Sequence, residues 1–218
     1  MATESRKFST AWIAAIVIVA VLVVDQVLKI WVKTNFYLGE SVELLPFFEL
    51  RFVQNNGMAF GMELGSKLML TLFRIIVVGV LLWYIVRLCR RESVARGYVV
   101  TLAFIAAGAL GNIIDCVFYG MIFNNPFPVD VAQFVPWGEG YATLFYGHVV
   151  DMLYFPLFSF VWPDWMPLIA GKTFSFFDPV FNVADAAISV GIVVLLLFYT
   201  KHMSFGNKKH SGSDDKNA

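Results

Sequence analysis

Four long apolar stretches constrain this chain more than any other feature of its sequence. They cover roughly residues 11–32, 67–88, 97–120 and 181–200, and each approaches the ~20 apolar residues that a helix needs to cross a bilayer. The chain is 59% hydrophobic and only 15% charged, whereas soluble domains are about one-quarter charged. The sequence therefore predicts an integral membrane protein with four transmembrane helices.

The distribution of positive charge predicts how these helices are oriented. Lysine and arginine accumulate in the cytoplasmic loops of membrane proteins. If both termini are cytoplasmic, ten of the 16 basic residues lie on the cytoplasmic side. The long loops 33–66 and 121–180 then face outward. We expect residues 1–200 to form a single membrane domain, and the polar tail 201–218 to be a disordered cytoplasmic tail.

The long outer loops show signs of folded structure. The segment VELLPFFELRFVQNNGMAFG alternates in hydropathy and is rich in Phe and Val, which predicts short strands on the membrane surface. A tight turn is predicted at Asn55, Asn56 and Gly57. The loop 121–180 is crowded with Phe, Trp and Pro, and aromatic residues of this kind are typical of the membrane interface.

Polar residues occur near the outer ends of the predicted helices, where burying a polar side chain costs free energy. A charged side chain at the centre of a membrane helix costs about 2.5–3.5 kcal/mol on insertion scales, so it is normally there for a reason. Asp25 and Lys29 are four residues apart, which predicts either a structural ion pair with Lys29 extending to the headgroups or a direct chemical role for the two residues. Gly108, Asn112 and Asp115 share one helix face, which suits either helix packing or a site.

Three further polar residues follow later in the chain. Asp151 lies among apolar neighbours in GHVVD, and Asn182 and Asp185 begin the last apolar stretch. Helix capping alone would explain Asn182 and Asp185, because both residue types suit a helix N-terminus. All the polar residues nevertheless map to the outer membrane face, and functional sites are the usual explanation for such a cluster.

The chemistry available to this cluster is narrow. No Ser or Cys has an obvious base partner, and the sequence contains no metal-ligand spacing. The net charge of +0 gives no indication of a nucleic-acid partner. Two carboxylates held about 3 Å apart share one proton, and such a pair hydrolyses peptide bonds without a metal. A small transporter or ion-coupled carrier is the alternative, since intramembrane carboxylates also mark ion paths.

Five motifs, taken in order, resemble those of the lipoprotein signal peptidases (signal peptidase II). They are DQVLK (25–29), NNGMAFG (55–61), GALGNIID (108–115), GHVVD (147–151) and FNVAD (181–185). The resemblance implies a multi-pass enzyme of the bacterial inner membrane, all-α with four transmembrane helices and a small extracytoplasmic β-cradle. Such an enzyme cleaves diacylglyceryl-modified prolipoproteins just before the lipidated cysteine. It contacts membrane lipids, needs no cofactor and is inhibited by globomycin-type peptide antibiotics.

The same resemblance assigns roles to individual residues. Asp151 and Asp185 match the catalytic pair of the family. Other positions match residues that bind substrate or shape the site, and these are Asn55, Gly57, Asn112 and Asn182. A third group matches residues that support the fold, namely Asp25, Lys29 and Asp115. No metal ligand is implied.

The chain departs from the family pattern in two respects. The stretches 116–146 and 152–180 are longer than usual, and these outer insertions could form a lid, alter substrate choice or contact a partner. Cys116 stands where the family usually has an arginine. A thiol is one weak hydrogen-bond donor, whereas a guanidinium offers five. The candidates for a replacing cation are Arg74, Lys29 and Lys172.

Overall fold

Three long apolar helices form the framework of the protein. In the computed structural model they are α1 (Ala2–Asn35), α2 (Lys67–Cys89) and α3 (Arg96–Ile114). A five-residue π-helical turn (Asp115–Tyr119) and a short α4 (Gly120–Ile122) continue α3 without a break. All three helices are long and apolar enough to cross a membrane, which confirms three of the predicted spans. The structure describes residues 2–56, 66–91, 93–125, 129–168 and 170–200.

The fourth apolar stretch forms a shorter helix. It is α5 (Val183–Phe198), which has 16 residues and is therefore about 24 Å long at 1.5 Å per residue. The hydrocarbon core of a bilayer is ~30 Å thick. A fourth complete span over 181–200 therefore stays a prediction, and the expected disordered tail 201–218 lies outside the described residues.

Helix α3 is the central element of the bundle, because α1, α2 and α5 all pack against it. Small residues permit this close packing. A Cβ atom at Gly108 would collide with the backbone carbonyl of Ala184 in α5, and one at Gly111 would lie 2.6 Å from Asp25 Oδ2 in α1. The glycines of GALGNIID therefore sit where neighbouring helices approach most closely.

A small antiparallel sheet lies beside the ends of these helices. Its strands are β1 (Ser41–Leu45), β2 (Phe48–Asn55) and β3 (Val149–Tyr154), in the order β1-β2-β3. The first two strands confirm the prediction made from alternating hydropathy. The third is contributed by the distant motif GHVVD, and Asp151 faces Val53 of β2 in the register.

A separate two-stranded hairpin lies in the second insertion. It consists of β4 (Phe158–Val161) and β5 (Thr173–Phe176), which pair antiparallel from Phe158 with Phe176 to Val161 with Thr173. The sequence predicts a structured outer loop with interfacial aromatic residues in this region but does not indicate its fold. The hairpin interrupts the chain between Asp151 in β3 and Asp185 in α5.

Candidate active site

Asp151 and Asp185 approach each other from two different elements. Asp151 is the third residue of β3, and Asp185 lies in the first turn of α5. The chain just before α5 is joined to β3 by backbone hydrogen bonds. The amide of Phe181 donates to the carbonyl of Leu153 at 3.0 Å, and the amide of Leu153 donates back at 2.7 Å. This pairing holds the strand and the helix start side by side.

Two asparagines connect the two carboxylates. Asn182 Nδ2 donates to Asp151 Oδ1 at 2.6 Å, and Asn112 Nδ2 donates to Asp185 Oδ1 at 2.7 Å. The amides also bond each other, since Asn182 Nδ2 lies 3.2 Å from Asn112 Oδ1. Asn55 Nδ2 donates to Asp151 Oδ2 at 3.1 Å. Both carboxylates are thus fixed within one hydrogen-bond network.

Asn182 and Asp185 also cap the N-terminus of α5, as their residue types predict. Asn182 is the N-cap of α5, and its Oδ1 accepts the amide N–H of Asp185 at 2.8 Å. In return, Asp185 Oδ2 accepts the amide N–H of Asn182 at 3.4 Å, which completes a capping box. Capping occupies Asp185 Oδ2, and the other oxygen faces Asn112. The two roles are therefore compatible.

The surroundings of Asp151 favour its protonated form. Burial removes water from this carboxyl and, with the neighbouring charge of Asp185, raises its pKa to about 7. The hydrogen bonds from Asn55 and Asn182 act in the opposite direction but are weaker effects. A carboxyl group with a pKa near neutrality can hold a proton or release it at physiological pH, as acid–base catalysis requires.

A buried ion-pair cluster lies directly beneath this network. Lys29 Nζ is 2.9 Å from Asp25 Oδ2 and 2.8 Å from Asp115 Oδ2, and all three side chains are fully buried. Lys29 Nζ also donates to Asn112 Oδ1 at 2.8 Å. The expectation that Lys29 extends to the headgroups was therefore wrong. Its ammonium turns inward because two carboxylates and an amide satisfy it there.

The two carboxylates of the cluster also hold backbone at the site. Asp25 Oδ1 accepts the amide N–H of Ala184 at 2.8 Å, and Asp115 Oδ2 accepts that of Val150 at 3.3 Å. Each of these amides belongs to the residue immediately before one aspartate of the pair. The cluster therefore links α1 and the π-helical turn to the positions of both aspartates. A supporting role for Asp25, Lys29 and Asp115 stays a prediction.

Sequence reasoning missed Tyr119 and Lys33, two buried residues near the cluster. Gln26 Nε2 donates to Asp115 Oδ1 at 2.9 Å, and Tyr119 donates its hydroxyl to Gln26 Oε1 at 3.1 Å. Lys33 is also buried, with Nζ over three aromatic rings at 5.2–5.6 Å from their centroids. Its spacing of four residues from Lys29 placed both on one helix face and was the available signal.

The remaining predicted site residue cannot be placed. Gly57 lies outside the described residues, and so does most of the motif NNGMAFG. Over the described ranges, no group of three or more His, Cys, Asp or Glu side chains is arranged to hold a metal ion.

Gly147 occupies a point of close backbone approach next to the site. Its amide donates to the carbonyl of Cys116 at 2.8 Å, inside the π-helical turn. A Cβ atom at Gly147 would collide with the backbone carbonyl oxygen of Asp115. This explains why a glycine begins GHVVD, since a side chain would push β3 away from α3.

We expect Gly147→Ala to destabilise the protein by about 1–3 kcal/mol, the usual range for overpacking a tight contact. The thermal unfolding midpoint of the purified protein in detergent measures the effect. Gly79→Ala is the matched control, because a Cβ atom there meets nothing within 4 Å. Equal midpoints for both variants would contradict this interpretation.

Arg74 is the candidate cation that contacts Cys116. Its Nη1 lies 3.6 Å from Cys116 Sγ, so the guanidinium of α2 reaches the place where the family pattern has an arginine. Lys29 is held in the buried cluster, and Lys172 is an exposed residue of the β4–β5 hairpin region. The structure therefore distinguishes three candidates that the sequence left open.

Comparison with known proteins gives a consistent family match. The family model described as signal peptidase (SPase) II matches residues 17–201. A lipoprotein signal peptidase of Porphyromonas gingivalis is 47% identical over 204 residues, covering 94% of this chain and 90% of the relative. One from Amoebophilus asiaticus is 38% identical, covering 81% and 72%. A solved bacterial membrane enzyme shares the fold with a TM-score of 0.58 at 22% identity, covering 91% of this chain and 94% of that chain.

Proposed function

Because the chain belongs to the signal peptidase II family, we propose that it is an aspartic endopeptidase in which Asp151 and Asp185 form the catalytic pair. The family is one of membrane proteases that process prolipoproteins. The finer proposal is that this enzyme cleaves diacylglyceryl-modified prolipoproteins just before the lipidated cysteine. The observation that carries the aspartic mechanism is the pair of asparagines, Asn112 and Asn182, that hold both carboxylates in one network. The substrate proposal rests on the family match.

The geometry suggests a different catalytic role for each aspartate of the pair. Asp151, with its raised pKa, holds the shared proton and donates a hydrogen bond to the scissile carbonyl oxygen. Ionised Asp185 takes a proton from water, and the resulting hydroxyl attacks the carbonyl carbon. When the C–N bond breaks, a proton passes to the leaving nitrogen. The products are a signal peptide with a new carboxylate and a lipidated cysteine with a free α-amino group.

The orientation of the protein is part of the proposal. We expect both termini in the cytoplasm and the aspartates near the outer membrane face. The basic residues Arg87, Arg90 and Arg91 lie at the C-terminal end of α2, whereas Arg74, which contacts the site region, lies toward its beginning. This separation fits a cytoplasmic basic end and an outer catalytic end. An ion-coupled carrier is not favoured, because the matching family is a peptidase family.

A gel-shift assay on purified enzyme in lipid vesicles tests the proposed reaction. A diacylglyceryl-modified prolipoprotein should shift to the size of the mature lipoprotein, and globomycin should prevent the shift. The same prolipoprotein without its diacylglyceryl group is the matched control and should remain uncut. Equal cleavage of both substrates would contradict the proposed specificity.

We also propose that Arg74 supplies the hydrogen-bond donors that Cys116 cannot provide. The guanidinium carries five donors in a fixed plane, which suits a peptide carbonyl or carboxylate of the substrate. Cys116, which Arg74 contacts, lies one helical turn beyond Asn112, and Asn112 donates a hydrogen bond to Asp185. Arg74 would then position the substrate rather than take part in proton transfer.

We expect Arg74→Ala to lower kcat/KM by about 10- to 100-fold, mainly through KM, since a charged hydrogen bond contributes about 1.5–3 kcal/mol. Arg74→Lys should restore part of the loss, and Cys116→Ala should have a mild effect. Arg87→Ala is the matched control, because this exposed arginine lies at the other end of α2. A loss in Cys116→Ala as deep as in Arg74→Ala would assign the role to the thiol instead.

The pH dependence of cleavage provides a separate prediction. The mechanism needs one proton on the pair, and the pKa of Asp151 is raised to about 7. As pH rises through about 7, this proton is lost, so kcat/KM should fall by about tenfold per pH unit above it. Initial rates between pH 5 and 9, with parallel unfolding measurements to exclude denaturation, check this. A rate that stays constant to pH 9 would exclude a protonated Asp151.

A further inference from the structure

The β4–β5 hairpin carries a continuous aromatic face. Phe158 stacks on Phe176 with ring centroids 4.9 Å apart, and Phe160 packs on Phe174 at 5.2 Å. These four side chains are nevertheless 38–53% exposed. A two-stranded hairpin is at best marginally stable in water. Apolar patches of this kind mark surfaces that bind a partner or a membrane.

The tip of the hairpin is even more exposed. Trp165 is 77% exposed and Leu168 is 92% exposed, the highest value among the large hydrophobic residues that the structure describes. Over the stretch 155–180, the charged residues are Asp164, Lys172 and Asp178. Because this stretch carries few charges and only one of them is positive, it is suited to binding through apolar insertion rather than through attraction to anionic groups.

The aromatic face continues into the apolar surface of the helical bundle. Phe155 stacks on Phe181 at 5.7 Å, and Phe177 contacts the same ring edge-on at 6.1 Å. Phe181 directly precedes the N-cap of α5, whose outward residues include Val190 and Leu197. The root of the hairpin therefore lies at the end of an apolar helix, where a membrane protein passes from hydrocarbon to the interface.

We propose that the β4–β5 hairpin docks on the outer leaflet of the bilayer, with Trp165 and Leu168 inserted among the lipid chains. The partner is the lipid itself, because the hairpin continues a surface that already faces lipid. Aromatic side chains are suited to this depth, where an apolar ring meets a polar boundary. The inference rests on the membrane location of the chain and on its proposed orientation, and it is independent of the aspartic mechanism.

Site-specific fluorescence in phosphatidylcholine vesicles tests this docking. Leu168→Cys and Trp165→Cys are labelled separately with an environment-sensitive fluorophore in a Cys89→Ser background, in which the remaining Cys116 is buried. We expect blue-shifted emission at both positions and strong quenching by lipids that carry nitroxides on their acyl chains. Glu43→Cys is the control, because this exposed residue pairs with Glu49 in the sheet and should remain in water.

Several outcomes would overturn the proposal. Water-like emission without quenching at both tip positions would show that the hairpin stands away from the bilayer. Quenching that appears only after a lipidated prolipoprotein is added would assign the surface to the substrate. Emission that depends on the amount of enzyme per vesicle would assign it to a second copy of the chain. Retained cleavage activity in the labelled variants shows that the protein remains folded.

Discussion

Asp151→Asn and Asp185→Asn should each abolish cleavage of a diacylglyceryl-modified prolipoprotein. Each change removes one of the two groups that the proposed mechanism uses, either the one that holds the shared proton or the one that activates water. Losing such a group typically lowers turnover by on the order of 10⁴-fold or more. Single-turnover cleavage of the lipidated substrate by purified enzyme in vesicles measures the loss, and the amide side chains are close in size to the carboxylates.

The controls for this experiment concern folding and charge. Asp130→Asn removes an exposed outer aspartate and should leave activity unchanged. Both variants should also retain a cooperative thermal transition. The amide oxygen of the introduced asparagine can still accept the hydrogen bond that Asn112 or Asn182 donates. If either variant turned over substrate at the normal rate, that residue would have to be removed from the catalytic pair.

Lys29→Met should cause the largest loss of stability among the support residues. The change leaves Asp25 and Asp115 fully buried without their cation. Removing one partner from a buried ion pair typically costs about 3–5 kcal/mol. We expect a much lower thermal unfolding midpoint in detergent, and lower activity, because the two carboxylates also hold the backbone next to both aspartates of the proposed pair.

Two matched variants separate charge burial from other effects. Lys172→Met removes an exposed lysine and should leave the unfolding midpoint unchanged. Lys29→Met combined with Asp115→Asn removes one buried negative charge and should recover part of the lost stability. An unfolding midpoint in Lys29→Met equal to that in Lys172→Met would show that the cluster does not stabilise the fold.

Much of the helical fold and the position of the site follow from local sequence. Hydropathy predicts α1, α2 and α3 because a bilayer sets the length of a crossing helix. Alternation predicts β1 and β2 because one face of a strand packs inward. The candidate site residues were recognisable because the five motifs resemble a known family. The structure places five of them in one hydrogen-bond network, namely Asn55, Asn112, Asp151, Asn182 and Asp185. Their catalytic roles stay predictions.

The rest depends on contacts between distant parts of the chain. Nothing local indicates that Arg74 of α2 meets Cys116, since that contact depends on how α2 packs on α3. The connection between β4 and β5 runs over residues 162–172, which is longer than the turns of two to five residues that indicate a hairpin in a sequence. Its aromatic residues are typical of an interfacial loop. The inward turn of Lys29 likewise depends on Asp115, which arrives from another helix.

The spacing of Asp25 and Lys29 has a consequence for biosynthesis. The ribosome makes α1 well before α3, so these two residues enter the membrane while Asp115 does not yet exist. Because they are four residues apart on one helix and 2.9 Å from each other, each can neutralise the other during insertion. Helix α1 can thus enter the membrane with Asp25 and Lys29 already paired. Lys29 is then in position to form its second ion pair when Asp115 is made.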